Sequence, residues 1–222
     1  MCSPASFVVT KSKVFWSEKS DSHEDIIAEF NLEKLDDANR MGIVRVEITP
    51  PNSNDFDKPL SEWAYRVDQD ILPEWYDAVE CEERTRRSLE KWLAYKVILP
   101  GVEVETLDRC VLALYGKVGE MWGSAQVGEM CGSAQVGEMC GSAQVREMCG
   151  SAQVREMCGS AQVRVMRESA QVGEMWGSAQ VGEVNEYVTV SLRSKNATVE
   201  KINGDMAAVL DRTGNKVILI TS

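Results

Sequence analysis

The sequence predicts a mixed architecture: a small α+β N-terminal domain, then a β-solenoid (β-helix) with a β-rich C-terminal cap. Three observations carry this. Residues 118–186 are a tandem nine-residue repeat. Their period and their Gly-Ser content suit stacked strands and not a helix. The residues before the repeat mix short alternating strands with an amphipathic helix, and those after it read as strands. The expected divisions are an α+β domain over 1–98, cap strands over 99–117, the solenoid over 118–186 and a β cap over 187–222.

From Val118 the chain reads VGEMWGSAQ, VGEMCGSAQ, VGEMCGSAQ, VREMCGSAQ, VREMCGSAQ, VRVMRESAQ, VGEMWGSAQ and a decayed VGEVNEYVT. A period of nine advances an α-helix by about 2.5 turns, so successive valines would fall on opposite faces. Gly and Ser are also poor helix residues. In Ala-Gln-Val the two apolar residues are two apart and share one face of a strand, with Gln pointing away. Gly-Ser and Gly-Glu then supply the corners. A single copy cannot bury its Val, Met and Ala, whereas stacked copies can. A coil of eighteen residues, two copies per turn, is expected, with twenty-seven residues as the alternative. Two copies per turn make about four coils rising roughly 4.8 Å each. The position after Met holds Trp122, four cysteines, Arg167, Trp176 and Asn185, a variety that suits an outward or loosely packed corner.

The repeat resembles solenoids of the pentapeptide-repeat and related β-helical kind. The period is nine and not five, so the resemblance is one of architecture. The GGxGxD signature of calcium-binding β-roll repeats is absent, and calcium is not carried over.

Elsewhere, residues 6–16 alternate as a hairpin. Ser22 caps a short helix with an Ile26-Ile27-Phe30 face. Residues 42–49 and 60–67 read as strands around a polar loop, Pro51 to Pro59. An amphipathic helix is expected from about Pro73 to Lys96, with Leu89, Trp92 and Leu93 inside. Residues 102–117 read as strands that cap the first coil. Strands are also expected at 187–193, 198–202, 206–211 and 215–220, with Thr213-Gly214-Asn215 at a turn tip.

Net charge is −11, of which residues 1–110 contribute −9, residues 111–186 contribute −4 and residues 187–222 contribute +2. Such acidity argues against direct nucleic-acid binding. Solubility is its plainest role, and attraction of basic partners its sharper one. DNA mimicry by the repeat glutamates is weakened by magnitude. Nine acids less four arginines leave one net charge per roughly 4 Å, against one per roughly 1.7 Å in duplex DNA. No apolar run is long enough for a membrane helix, and the N-terminus lacks a secretory pattern. The cytoplasm, of a host cell, is therefore the expected setting.

No cofactor, metal or catalytic residue is expected. The lone histidine, His23, reads as an exposed residue in the first turn of its helix. No CxxC pair, P-loop, GxGxxG or GxSxG pattern occurs. Asp68 and Asp70 follow a strand near Trp63, Tyr65 and Trp75, and these five residues are the candidate ligand or partner site of the first domain. Trp122 and Trp176 are the candidates on the solenoid, on flat outer faces. In an eighteen-residue coil Cys131 stacks on Cys149 and Cys140 on Cys158, roughly 4.8 Å apart and within disulfide reach. A reducing compartment favours reading them as small fillers copied with the repeat.

The stretch VRVEITPP, with LSEWAYRVDQDILPEWYDAVECEERTRRSLEKW, resembles an N-terminal module of uncharacterised phage and prophage proteins, over roughly the first half of the chain. The resemblance implies a viral or prophage origin and supplies no catalytic residues. The expected function is therefore a non-enzymatic accessory protein, with counter-defence among its roles. It captures a host protein or small-molecule ligand, and the solenoid serves as rigid scaffold or oligomer interface. A self-assembling structural solenoid is one alternative. A carboxylate-dependent enzyme using Asp68 and Asp70 is another.

Overall fold

The computed structural model describes residues 5–36, 41–52, 55–214 and 217–220. Cys2 and the turn tip at Asn215 lie outside them. The chain divides into two compact units, Met1–Lys96 and Val97–Ser222.

The first unit is an antiparallel sheet in the order β2-β1-β3-β4 with two helices. β1 (Ala5–Thr10) and β2 (Val14–Phe15) make the expected hairpin. α1 (His23–Glu29) starts at Ser22, whose side chain accepts the Asp25 N–H. β3 (Ile43–Thr49) pairs along β1 on one side and β4 (Ala64–Val67) on the other. A 3-10 turn at Leu60–Glu62 replaces the first half of the strand expected there. α2 (Ala78–Lys96) begins later than expected, because residues 71–77 are irregular. It buries Cys81, Thr85, Leu89, Trp92, Leu93 and Lys96. Lys96 is only 6% exposed, and its Nζ donates to the Glu18 carbonyl at 2.8 Å, which satisfies a cation that burial would otherwise penalise.

The second unit is a β-solenoid of about six turns. Within the repeat its coil is eighteen residues. Val118 stands beside Val136, Val136 beside Val154 and Val154 beside Val172, all in parallel register. Odd-numbered copies form β8 (Lys117–Met121), β10 (Gln135–Met139), β12 (Gln153–Met157) and β14 (Gln171–Met175). Even copies form β9 (Gln126–Met130), β11 (Gln144–Met148), β13 (Gln162–Met166) and β15 (Gln180–Val184). The two sets belong to two separate sheets. In each strand Val and the Met (Val184 in β15) are buried, as is the Ala before every strand from β9 on, so every coil adds to one continuous core. Burial of each Val or Met side chain is worth about 1.5–3 kcal/mol.

The coils extend beyond the repeat. β5 (Val97–Ile98), β6 (Glu103–Leu107) and β7 (Cys110–Leu114) precede it, and β16 (Thr189–Leu192), β17 (Thr198–Ile202) and β18 (Ala208–Asp211) follow it. Val104 and Leu107 stack on Val118 and Met121, and Val111 and Leu114 on Val127 and Met130. The inward pattern therefore continues where the outward residues change. β19 (Ile218–Ile220) is different: it pairs antiparallel to β18 and forms the last strand of that sheet.

Each corner between copies of the repeat is a tight turn. At Cys140–Ala143 the Ala143 N–H donates to the Cys140 carbonyl, and Gly141 sits at φ 70°. Positive φ at the first central position is a conformation that glycine enters without steric cost. In two decayed copies Glu168 and Glu186 take this place at φ 56°. Glu168 Oε2 accepts the Gly150 N–H, and Glu186 Oε2 accepts the Glu168 N–H, each at 2.7 Å. A bond to the preceding coil thus offsets the left-handed strain.

Candidate functional site

The two solenoid sheets present outward columns set by the strand sequence Gln-Val-Gly/Arg-Glu-Met. The Gln column and the third and fourth positions stay at the surface while Val and Met are buried. On the β8-β10-β12-β14 sheet the third position is Gly119, Gly137, Arg155 and Gly173. Glycine leaves no side chain there, and an open groove of about 800 Å³ runs across the strands along this column. Gln135, Gln153 and Gln171 stand along it. A smaller groove of about 550 Å³ crosses the other sheet, where Arg146 and Arg164 occupy the third position.

The two faces differ in charge. Across β6 to β14 the first face carries Glu103, Glu105, Glu120, Glu138, Glu156 and Glu174 against Lys117 and Arg155. The second carries Glu129, Glu147, Glu183 and Glu200 against Arg146, Arg164 and Lys201. Parallel pairing stacks Glu120, Glu138, Glu156 and Glu174 in one row. At the end of that row the Arg193 guanidinium, bonded at 2.7 Å, and then the Trp176 indole hold the Glu174 carboxyl below the usual carboxylate range.

Trp122 and Trp176 do not lie on flat faces. Both are exposed but follow the last strand residue, at the corner, because the next residue is the left-handed glycine of the turn. Their indoles donate to Glu120 and Glu174 of their own strands. The column between them is Cys140 and Cys158, which are bonded to each other, as Cys131 is to Cys149 in the opposite corner. Cα–Cα is 4.8 Å in both bridges, the spacing expected of stacked coils. The cysteines are therefore cross-links between turns and not fillers.

In the first unit the aromatic candidates are mostly structural. Trp63 is 1% exposed, packs against Phe56 and donates to the Lys58 carbonyl, so it belongs to the core and not to a ligand face. The Tyr65 hydroxyl meets that of Tyr76 at 3.3 Å, and burial, with this contact second, pushes its pKa up. Trp75 donates to the Met41 carbonyl. Asp70 is exposed. Asp68 is brought instead to His23, which is buried and not exposed as expected. The reason is non-local: β3 and the end of β4 lie over the first turn of α1, and His23 Nε2–H donates to the Val46 carbonyl at 3.1 Å. Proximity in sequence gave no signal for this meeting.

Two clusters among the described residues have the ligand types and spacing for a metal ion: His23 with Glu47 and Asp68, and Glu138 with Cys140 and Cys158. In the second both sulfurs are already committed to a disulfide. No helix among the described residues is long and apolar enough to cross a membrane. Comparison with family models, with curated proteins and with solved structures finds no match to this chain.

Proposed function

We propose that this chain is a non-enzymatic binding scaffold of phage or prophage origin whose solenoid captures an extended, cationic segment of a host protein. The observation that carries this is the groove on the β8-β10-β12-β14 face. Three of its four floor positions are glycine, with Arg155 the fourth, which admits a main chain, and the row of glutamates beside it repeats once per coil. An extended peptide advances about 3.3 Å per residue and repeats its side-chain direction every second residue, so a Lys/Arg-rich segment meets several carboxylates across the coils. The second face, with its arginines, is the weaker site for such a partner. Identical side chains repeated along a groove suit capture of a linear ligand. Catalysis needs differentiated groups around one reacting atom, which also favours the non-enzymatic reading.

The test is titration of the full chain with a labelled Lys/Arg-rich peptide at low and high salt. Binding that weakens steeply with salt and is lost in Glu138→Lys/Glu156→Lys, but kept in Glu147→Lys on the other face, is expected. Equal affinity in the three proteins removes the proposal. A second reading, self-assembly, is favoured by β19, where Ile218 and Leu219 are 57% and 56% exposed on an edge strand. Light scattering at increasing concentration separates the two: a monomer that binds peptide supports the scaffold, and growing oligomers support assembly.

A further inference from the structure

We propose that His23, Glu47 and Asp68 form a binding site for a divalent first-row transition-metal ion, with zinc as the ion of choice. The argument begins with the imidazole. A carbonyl oxygen only accepts, so the contact between Nε2 and Val46 O fixes the proton on Nε2. Nδ1 faces Asp68 Oδ2 at 3.6 Å, and the Glu47 carboxylate completes a set whose ligand atoms all lie within 4.8 Å of one another. With the ring neutral, its Nδ1 lone pair and the two carboxylates repel one another, and the imidazole itself is only 7% exposed. A cation between the three groups converts that repulsion into coordination.

The surroundings match what metal-bound histidines need. Their second ring nitrogen characteristically donates to a carbonyl or carboxylate, which orients the ring, and here the Val46 carbonyl has that part. Asp68 divides its oxygens: Oδ1 takes the exposed Arg66 guanidinium at 3.4 Å, and Oδ2 faces the imidazole. Zinc bonds of about 2.0–2.2 Å place tetrahedral ligand atoms about 3.4 Å apart, so the His23–Asp68 separation is already close, and no separation in the set exceeds 4.8 Å. One imidazole with two carboxylates suits zinc or its first-row neighbours better than calcium, which takes six to eight oxygens. The half-exposed Asp68 and Glu47 leave the fourth position to water. The ligands come from the start of α1, from β3 and from the residue after β4, so the ion would tie these segments together.

The experiment uses the full, untagged chain with its disulfides intact and its exposed Cys110 thiol alkylated. Zinc alone is titrated calorimetrically, and the lone histidine is followed by nitrogen-15 NMR. One ion per chain is expected, with a metal-induced shift at Nδ1 and not at Nε2, and a thermal midpoint that rises with zinc. Asp68→Asn and Glu47→Gln, which keep size and shape, are each expected to weaken binding by at least about tenfold. His23→Gln should abolish it, and if that variant fails to fold the two carboxamide variants still decide. No heat with zinc, an unshifted Nδ1, or unchanged affinity in Asp68→Asn overturns the proposal. None of these readouts depends on peptide capture by the solenoid.

Discussion

Breaking the two disulfides should weaken the solenoid without unwinding it. Each bridge closes an eighteen-residue loop in the unfolded chain. Loop-closure entropy for that length is worth about 3 kcal/mol per bridge. The loops 131–149 and 140–158 overlap, so the two constraints are partly redundant and a combined effect of about 3–5 kcal/mol is expected. What remains after reduction is large. The ladders keep one register through the repeat, and the Val, Met and Ala columns stay buried whether or not the sulfurs are joined. The assay is guanidinium unfolding of the oxidised protein, of the phosphine-reduced protein and of a variant with Cys131, Cys140, Cys149 and Cys158 all changed to Ser, read by far-ultraviolet circular dichroism. The reduced and variant proteins should keep the β signature in buffer and unfold at a lower midpoint. Loss of the β signature in buffer would show that the bridges, and not the ladders, hold the coils. An unmoved midpoint would show that the thiols are not paired in solution.

Three further outcomes follow from single positions. Met148 is fully buried midway along the stack, so Met148→Ala should cost about 2–5 kcal/mol in chemical unfolding, and a cost below about 0.5 would mean the column is not core. Glu168→Ala loses the carboxylate that accepts Gly150 N–H while keeping the left-handed backbone, a loss of about 1–2 kcal/mol. Glu168→Gly loses the same bond but relieves strain of about 1–2 kcal/mol, so it should be near neutral, and equal destabilisation of both variants would remove strain from the account. The Glu174 carboxyl is held below its ordinary 4.5, first by Arg193. A depressed folded pKa gives stability that is present above the ordinary value and lost as pH falls through the folded one. Arg193→Gln should move the Glu174 titration, followed by carboxyl carbon-13 NMR, back up toward 4.5, and its stability should converge with the parent protein's in acid. A titration that does not move would show that Arg193 is not the cause.

What the sequence makes legible, and what it hides, follows from where the information lies. The repeat states its own register, because Val, Met and Ala recur together and only a coil of whole copies keeps them inside. The flanking coils are harder to see: Val104-Glu-Thr-Leu107 and Val111-Leu-Ala-Leu114 keep the inward pair three residues apart, but nothing outward matches the repeat. A search for that Val-x-x-Leu spacing, ignoring exposed positions, would have placed them in the stack. The Cys131–Cys149 and Cys140–Cys158 distances were readable from the period, but their bonding was not, since thiol and disulfide fit the same column and the compartment decides between them. His23 and Trp63 failed for a different reason. Their burial depends on β3, β4 and α2 meeting across long stretches of chain, and local composition carries no record of that. Arg86, for instance, reaches back from α2 to the Leu60 and Trp63 carbonyls.

The number of copies per turn also explains why a nearly uniform repeat yields two unlike faces. With two copies in each coil, adjacent copies never stack, and within the repeat residues eighteen apart do. A substitution in one copy therefore reaches only one sheet. Arg146 and Arg164 fall in even copies and together break the acidity of one face, while Arg155 stands by itself among the glycines of the other. The same parity turns four cysteines in consecutive copies into two bridges, one per corner, and sets Trp122 and Trp176 above and below the Cys140–Cys158 pair. Inserting a single nine-residue copy would preserve the core, since Val, Met and Ala would still point inward. It would exchange the faces of everything downstream and, placed between Cys140 and Cys149, would leave neither bridge eighteen residues long. Insertion of two copies outside the bridged segment should keep both the core and the faces. A protein that tolerates one copy as well as two, in peptide binding as in stability, would show that the division into faces has no part in what it binds.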